Sequence, residues 1–269
     1  ILLQTEFRQV NSKSNHKSDF SFFKEKNENI KSHFFYKLDK DIFLNDFEES
    51  KIDLKVQQTS NDTYLKANKL ESSLIKDNDV LENSFGLNLY SNNLSIDTEF
   101  TVYEDLNKIE SDRFEYILPR LDLTKKIENK TSLKGEFSFN SNNMIRNYNT
   151  NIFEKINVND LIFNSDPKIN NLGFYNNYNF VIKNSNTDTQ NSKDFKEDEN
   201  YYLSGIFQFN SSLPLIKENE NYQNILKPKL SLKLAPNSSK DIRGDDVRID
   251  VNNVYSLNRI GTNDTMKAE

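Results

Sequence analysis

The feature that most narrows what this chain can become is a two-residue period running through residues 114–140, FEYILPRLDLTKKIENKTSLKGEFSFN. Ile117, Pro119, Leu121 and Leu123 share one phase, and Arg120, Asp122 and Thr124 share the other. After a polar break at 128–131, Leu133, Gly135, Phe137 and Phe139 alternate with Lys134, Glu136 and Ser138. Two such runs joined by a polar connection predict an antiparallel hairpin with one apolar and one wet face.

The same plan recurs along the chain. Strands are expected at 1–10, 20–23, 30–38, 51–59, 85–90, 95–103, 149–158, 172–182, 201–209 and 226–234, with a weaker one at 69–76. Turns are expected at 11–18, 91–94 and 141–143, and long polar loops near 39–50, 184–200 and 235–269. Residues 60–68 read as a loop carrying a short turn of helix, with Tyr64 and Leu65 its apolar members. No helical period competes over a useful length. About twelve strands in 269 residues recur every ~22 residues, far wider than the spacing of a compact soluble sandwich.

Composition decides what the apolar faces meet. Only 35% of the residues are hydrophobic and the mean hydropathy is −0.79, which is poor for filling an interior between two sheets. Disorder is the other reading of a polar chain, but 20 Phe and 12 Tyr oppose it. A sheet apolar on one side only, with short turns at one end and long polar loops at the other, satisfies both facts. That is the pattern of an antiparallel up-and-down transmembrane β-barrel, with the whole chain, residues 1–269, forming an incomplete, open part of one barrel domain. A generic porin or receptor barrel shares this pattern, and a soluble extracellular adhesin or carbohydrate-binding β protein differs from it in covering the apolar phases with a second sheet.

Other classes are disfavoured. A net charge of −6 and a pI near 5.2 argue against nucleic acid as a partner. With no cysteine there is neither a disulfide framework nor a thiolate metal site. His16 and His33 are too few and too isolated for a histidine metal cluster, and read as solvated loop and strand residues. No nucleophile–base–acid set is visible, so no enzyme and no cofactor are expected. The Asn-x-Ser/Thr triplets at Asn61, Asn93, Asn129, Asn210, Asn237 and Asn263 are what chance gives an Asn-rich chain. The chain starts at Ile1 and stops at Glu269 in mid-pattern, which reads as an internal fragment. Arg120, Lys134, Lys229 and Lys233 sit opposite the apolar phases and are expected on the wet, lumen-facing side, although a lysine row such as 227, 229 and 233 is also what any solvated strand face carries.

Five segments in order resemble the β-barrel domain of the outer-membrane lipopolysaccharide-assembly family, LptD (OstA). They are TEFRQV at 5–10, TSNDTYLKAN at 59–68, FEYILPRLDL at 114–123, LKPKLSLKLAP at 226–236 and VYSLNRIGT at 254–262. Each is similar to a short family motif: an E-[FY]-R strand, an S-D-x-x-Y-[LF] loop, a strand with a central L-P or E-P, a strand with x-P-x, and a loop ending L-x-R-I/F. Lys227 departs from the acidic residue that often precedes that proline. The resemblance implies a 26-stranded barrel in the outer membrane of a Gram-negative cell, of which this chain matches the third to about the fourteenth strand. It further implies lipopolysaccharide as cargo, an LptE-like plug lipoprotein, an LptA-like periplasmic jellyroll bridge and outer-membrane lipid as partners.

Overall fold

The structure, a computed structural model, describes residues 1–24, 29–195, 197, 199–219, 222–236 and 249–256. Its elements are β1 (Leu2–Asn11), β2 (Ser14–Phe23), β3 (Lys31–Asp41), β4 (Glu49–Thr59), α1 (Tyr64–Ala67), β5 (Val80–Ser91), β6 (Leu94–Asp105), β7 (Phe114–Ile127) and β8 (Gly135–Tyr148). There follow β9 (Ile152–Ser165), β10 (Lys168–Ile169), β11 (Tyr175–Gln190), β12 (Asn200–Ser212), β13 (Leu215–Asn219), β14 (Tyr222–Leu226) and β15 (Lys229–Leu234). Thirteen strands form one sheet in the order β1-β2-β3-β4-β5-β6-β7-β8-β9-β11-β12-β15, with β10 added on β11, and β13–β14 form a separate hairpin. The fold is all-β and antiparallel, almost without helix. Among the described residues β1 and β15 lie at opposite ends of this order, so the sheet is not closed.

Several boundaries differ from the sequence expectation. The turn expected at 141–143 is strand: β8 continues to Tyr148, and the chain reverses at Asn149 and Thr150, whose φ values of 44° and 62° lie in the left-handed region. The turn at 11–18 shrinks to residues 12–13. The loop at 184–200 is strand as far as Gln190, because small polar side chains cost little in a ladder whose backbone groups pair across to β12, Asn184 opposite Leu203 and Asn186 opposite Tyr201. Likewise the loop at 39–50 narrows to 42–48. Pro228 has no N–H to give, and the strand expected across 226–234 is split around it into β14 and β15. Residues 69–76 form no strand. Of the loop expected at 235–269, only 235–236 and 249–256 fall within the described residues.

The chain divides into two compact units. In the first (residues 1–123, 142–155 and 189–192), register fixes which side chains share a face. Phe20 opposes Phe34, Leu38 opposes Leu54, Ile52 opposes Leu87 and Phe85 opposes Phe100, which builds one apolar face. Among the described residues no layer covers it: Phe34, Phe85 and Phe100 are 46%, 41% and 40% exposed. The other face is polar and partly covered by the β4–β5 connection, residues 60–79, which folds back across it as a strap. Tyr64 and Leu65 of α1, with Leu70 and Leu74, join Phe35, Leu81 and Leu106 in a small core beneath the strap.

The second unit (residues 124–141, 156–188 and 193–269) repeats the contrast. Phe137, Phe163, Tyr178 and Phe207 form an aromatic row on one face, with successive ring centroids 4.5, 5.7 and 6.2 Å apart. Farther along β11 that face turns polar, where Asn157, Asn159, Asn184 and Asn186 hydrogen-bond to one another and Ser141 donates to Asn159. The opposite face holds a small core of Val181, Ile206 and Ala235 with Ile162 against it. Gly135 opens β8 at φ +149°, where a Cβ would meet the Asn164 carbonyl oxygen at 2.3 Å, so only glycine fits.

Candidate binding face

The polar face of the first unit carries charge in rows. Register places Arg8 opposite Lys17, Lys17 opposite Lys37, Lys37 opposite Lys55 and Lys55 opposite Ser84, so four cations stand side by side across β1–β4. Like charges directly opposite destabilise a sheet, and their carboxylate partners come from the flanking positions. Glu6 pairs with Arg8, Asp39 with Lys37 at 3.1 Å and Glu82 with Lys55 at 2.7 Å. Between this row and the strap lies a cavity of about 310 Å³, into which Lys17, Lys37, Lys55 and the strap's Lys76 converge. A second cavity of about 270 Å³ is lined by Asp53, Asn88, Asp97, Glu99, Arg120 and Asp122.

The strap is fastened by buried polar groups. The hydroxyl of Ser21 lies 2.7 Å from His33 Nδ1 and 2.7 Å from the Tyr64 hydroxyl, and His33 Nε2 lies 3.3 Å from Asp19 Oδ1. Gln4 Nε2 donates to both Asp19 oxygens and to the Glu71 carbonyl of the strap. Gln57 Nε2 donates to the Leu74 carbonyl at 2.6 Å, while its Oε1 accepts from the Glu82 N–H. At the strap's ends Arg113 bridges Asp62 and Glu104, each at 2.7 Å, and Lys66 pairs with Asp79. The hydrogen bond from Arg113 holds the Asp62 carboxyl below its ordinary range, that from Lys66 does the same for Asp79, and Asp62 in turn raises the Arg113 guanidinium.

The serine, histidine and aspartate of this network correct two sequence expectations. His33 is no solvated strand residue; it is 3% exposed and stacked on Phe35 at 4.3 Å. His16 is half-buried, bonded to Tyr36 and Ser14. A nucleophile–base–acid constellation also exists, invisible in the sequence because only cross-strand register brings Asp19 and Ser21 to His33. It has no room for a substrate: Asp19, Ser21 and Tyr64 are at most 2% exposed, and the Ser21 hydroxyl is capped by Tyr64. The geometry is that of an anchor.

The four basic residues singled out from sequence separate. Arg120 lines the second cavity on the polar face and pairs with Asp122 at 3.4 Å. Lys229 and Lys233 oppose Ser212 and Gln208, and the alternate positions Leu230, Leu232 and Leu234 oppose Ser211, Phe209 and Phe207, so both lysines lie away from the apolar face. They are engaged rather than open, Lys229 over the Tyr255 ring at 5.3 Å and Lys233 on the Ser256 carbonyl. Lys134 lies outside the alternation: it precedes β8 in the β7–β8 connection, where its carbonyl accepts from the Asp166 N–H. The row Arg8–Lys17–Lys37–Lys55 escaped the sequence reading, since its members belong to four strands whose relative register the sequence does not state.

No helix among the described residues is long and apolar enough to cross a membrane, which leaves strands untested, and no cluster of metal-ligating side chains is found among them. No family model and no curated protein matches the chain.

Proposed function

We propose that this chain is part of an outer-membrane β-barrel that moves lipopolysaccharide to the outer leaflet, making and breaking no bond. The observation that carries the membrane part is the uncovered apolar face. In a soluble sandwich Phe85 of the first unit and Phe180 and Leu232 of the second would lie beneath a second sheet, yet they are 41%, 36% and 55% exposed, while the opposite face of each unit is mainly polar around a small apolar core. Lipid in contact with the apolar face removes that area from water, and the polar face then offers a hydrated head group a path cheaper than hydrocarbon. The lipopolysaccharide role within this reading rests on the five ordered segments that resemble the LptD family, and of the four basic residues singled out from sequence Arg120 is the one that lines a cavity on the polar face. An LptE-like plug and an LptA-like bridge are its expected partners.

The absence of native cysteine makes the test direct. Single cysteines at Leu87, Phe180, Glu99 and Asp160 are spin-labelled in the chain reconstituted with outer-membrane lipid. Labels at 87 and 180 are expected to collide with oxygen in the lipid phase, and those at 99 and 160 with a water-soluble nickel complex. All four reporting water would overturn the membrane reading. A photo-crosslinking residue at Arg120, in cells, separates the two barrel readings: adducts with lipopolysaccharide support transport, and their absence favours a porin or receptor.

A further inference from the structure

We propose that the cavity between the cation row and the strap is a binding site for a phosphate monoester. Lys17, Lys37 and Lys55 come from three adjacent strands in strict register, so their Cα atoms step across the sheet at the interstrand spacing of roughly 4.8 Å. Lys76 reaches the same cavity from the strap. Four ammonium groups there meet three carboxylates, Asp53 and Glu82 of the lining and the Asp39 that pairs with Lys37 at 3.1 Å, which leaves an excess of one positive charge for an incoming phosphate group to meet. Ser73 and Ser84 add hydroxyls at the rim, and a volume of about 310 Å³ admits the phosphate with a small attached group.

The energetics point the same way. A row of lysines placed directly opposite one another costs the sheet stability, and a fold has no need to bear that cost where Thr, Ser or Gln would pair as well. Lysine is a compact, strongly hydrated point charge suited to phosphate, and an anion arriving among several of them adds to the pairs that Asp39 and Glu82 already make with Lys37 and Lys55. The strap makes this a cavity instead of a flat basic strip, since Ser73, Leu74, Ile75 and Lys76 form its far wall. The site uses residues distinct from Arg120, Lys134, Lys229 and Lys233, and it stands whether or not the opposite face meets lipid.

The test is a ³¹P NMR titration of the full chain with inorganic phosphate and, separately, with glucose 1-phosphate, at constant ionic strength set with chloride. A saturable response is expected. Lys17→Gln and Lys37→Gln are each expected to weaken it at least about fivefold, and the double variant about 25-fold. The same double variant should unfold no more easily than the wild type, because it relieves repulsion; weaker binding with unchanged or higher stability is a combination that a purely structural lysine cannot give. Lys37→Arg, which keeps the charge, should retain binding and guards against a glutamine variant that misfolds. Tighter binding of the sugar phosphate supports the monoester site, and equal or weaker affinity than for inorganic phosphate overturns the monoester in favour of the bare ion. A response that never saturates, or one that the double variant leaves unchanged, overturns the proposal.

Discussion

Leu65→Ala isolates what holds the strap down. Leu65 is fully buried in the cluster formed with Phe35, Tyr64, Leu70, Leu74, Leu81 and Leu106. Truncating such a leucine removes its transfer energy and leaves a hole, a loss of about 3 kcal/mol. If the strap opens as a local unit, that loss raises its open population by about 100-fold, since each 1.4 kcal/mol is tenfold. The natural reporters are the amides of Ala67, Asn68 and Leu70, which donate to Thr63, Tyr64 and Leu65 carbonyls at 2.8, 3.2 and 3.0 Å. Their hydrogen exchange should accelerate by that factor while amides in the middle of β3 and β4 keep their wild-type rates. Tyr64→Phe, which removes only the hydroxyl bonded to Ser21, should give a smaller step of about 1 kcal/mol, roughly fivefold. Equal acceleration in strap and strands would mean that the strap unfolds only with the sheet. No acceleration in either would mean that Leu65 is not seated where the structure puts it.

Three further outcomes follow from the same geometry. Asp62 and Asp79 are held below the ordinary aspartate value of 3.8, so their contribution is intact above that pH and fades as pH falls through their lowered values; proteolysis within residues 60–79 should therefore rise below about pH 4 and be flat above it. Gly135→Ala forces a Cβ to 2.8 Å from Ser165 Cα and Phe163 Cζ as well as onto the Asn164 carbonyl, and should lower unfolding stability by at least about 2 kcal/mol in a denaturant titration, whereas Gly205→Ala, whose nearest neighbour would be at 3.6 Å, should lie much closer to wild type. Phe85→Lys should cost about 2–4 kcal/mol of stability in a lipid bilayer if the face meets acyl chains near mid-membrane, but little if that face meets water, because the ring is already 41% exposed; equal stability in bilayers and in aqueous buffer would count against the membrane reading.

How far the sequence could be read depended on which interaction set each feature. Alternation alone sufficed for β4, β5, β6 and β12, where one face is apolar and a single slip would move every hydrophobic side chain to the wrong side. It failed at residues 184–190, where both phases are polar and the strand is held by backbone pairing and side-chain amides. Tyr64 and Leu65 were recognisable as a short helical turn, but nothing local revealed that they would cover His33 and Phe35. The cation row, which runs from Arg8 to Lys55, the second cavity, lined from Asp53 to Asp122, and the buried Asp19–Ser21–His33 set are products of register between strands, and no window of sequence displays them. Pro228, by contrast, carries its own explanation: a missing donor ends one strand and starts the next.

The Tyr64–Ser21 bond spans 43 residues of chain, and this sets an order of events in assembly. The hairpins β1–β2 and β2–β3 can zip from their own short reversals, but α1 has no seat until β2 and β3 already lie side by side with Ser21 and His33 on a common surface. The docked strap is thus a certificate of correct register in the first three strands. A nascent chain that pairs them one residue out of step would turn Ser21 and His33 to the other face and leave the strap of about 20 residues without its seat.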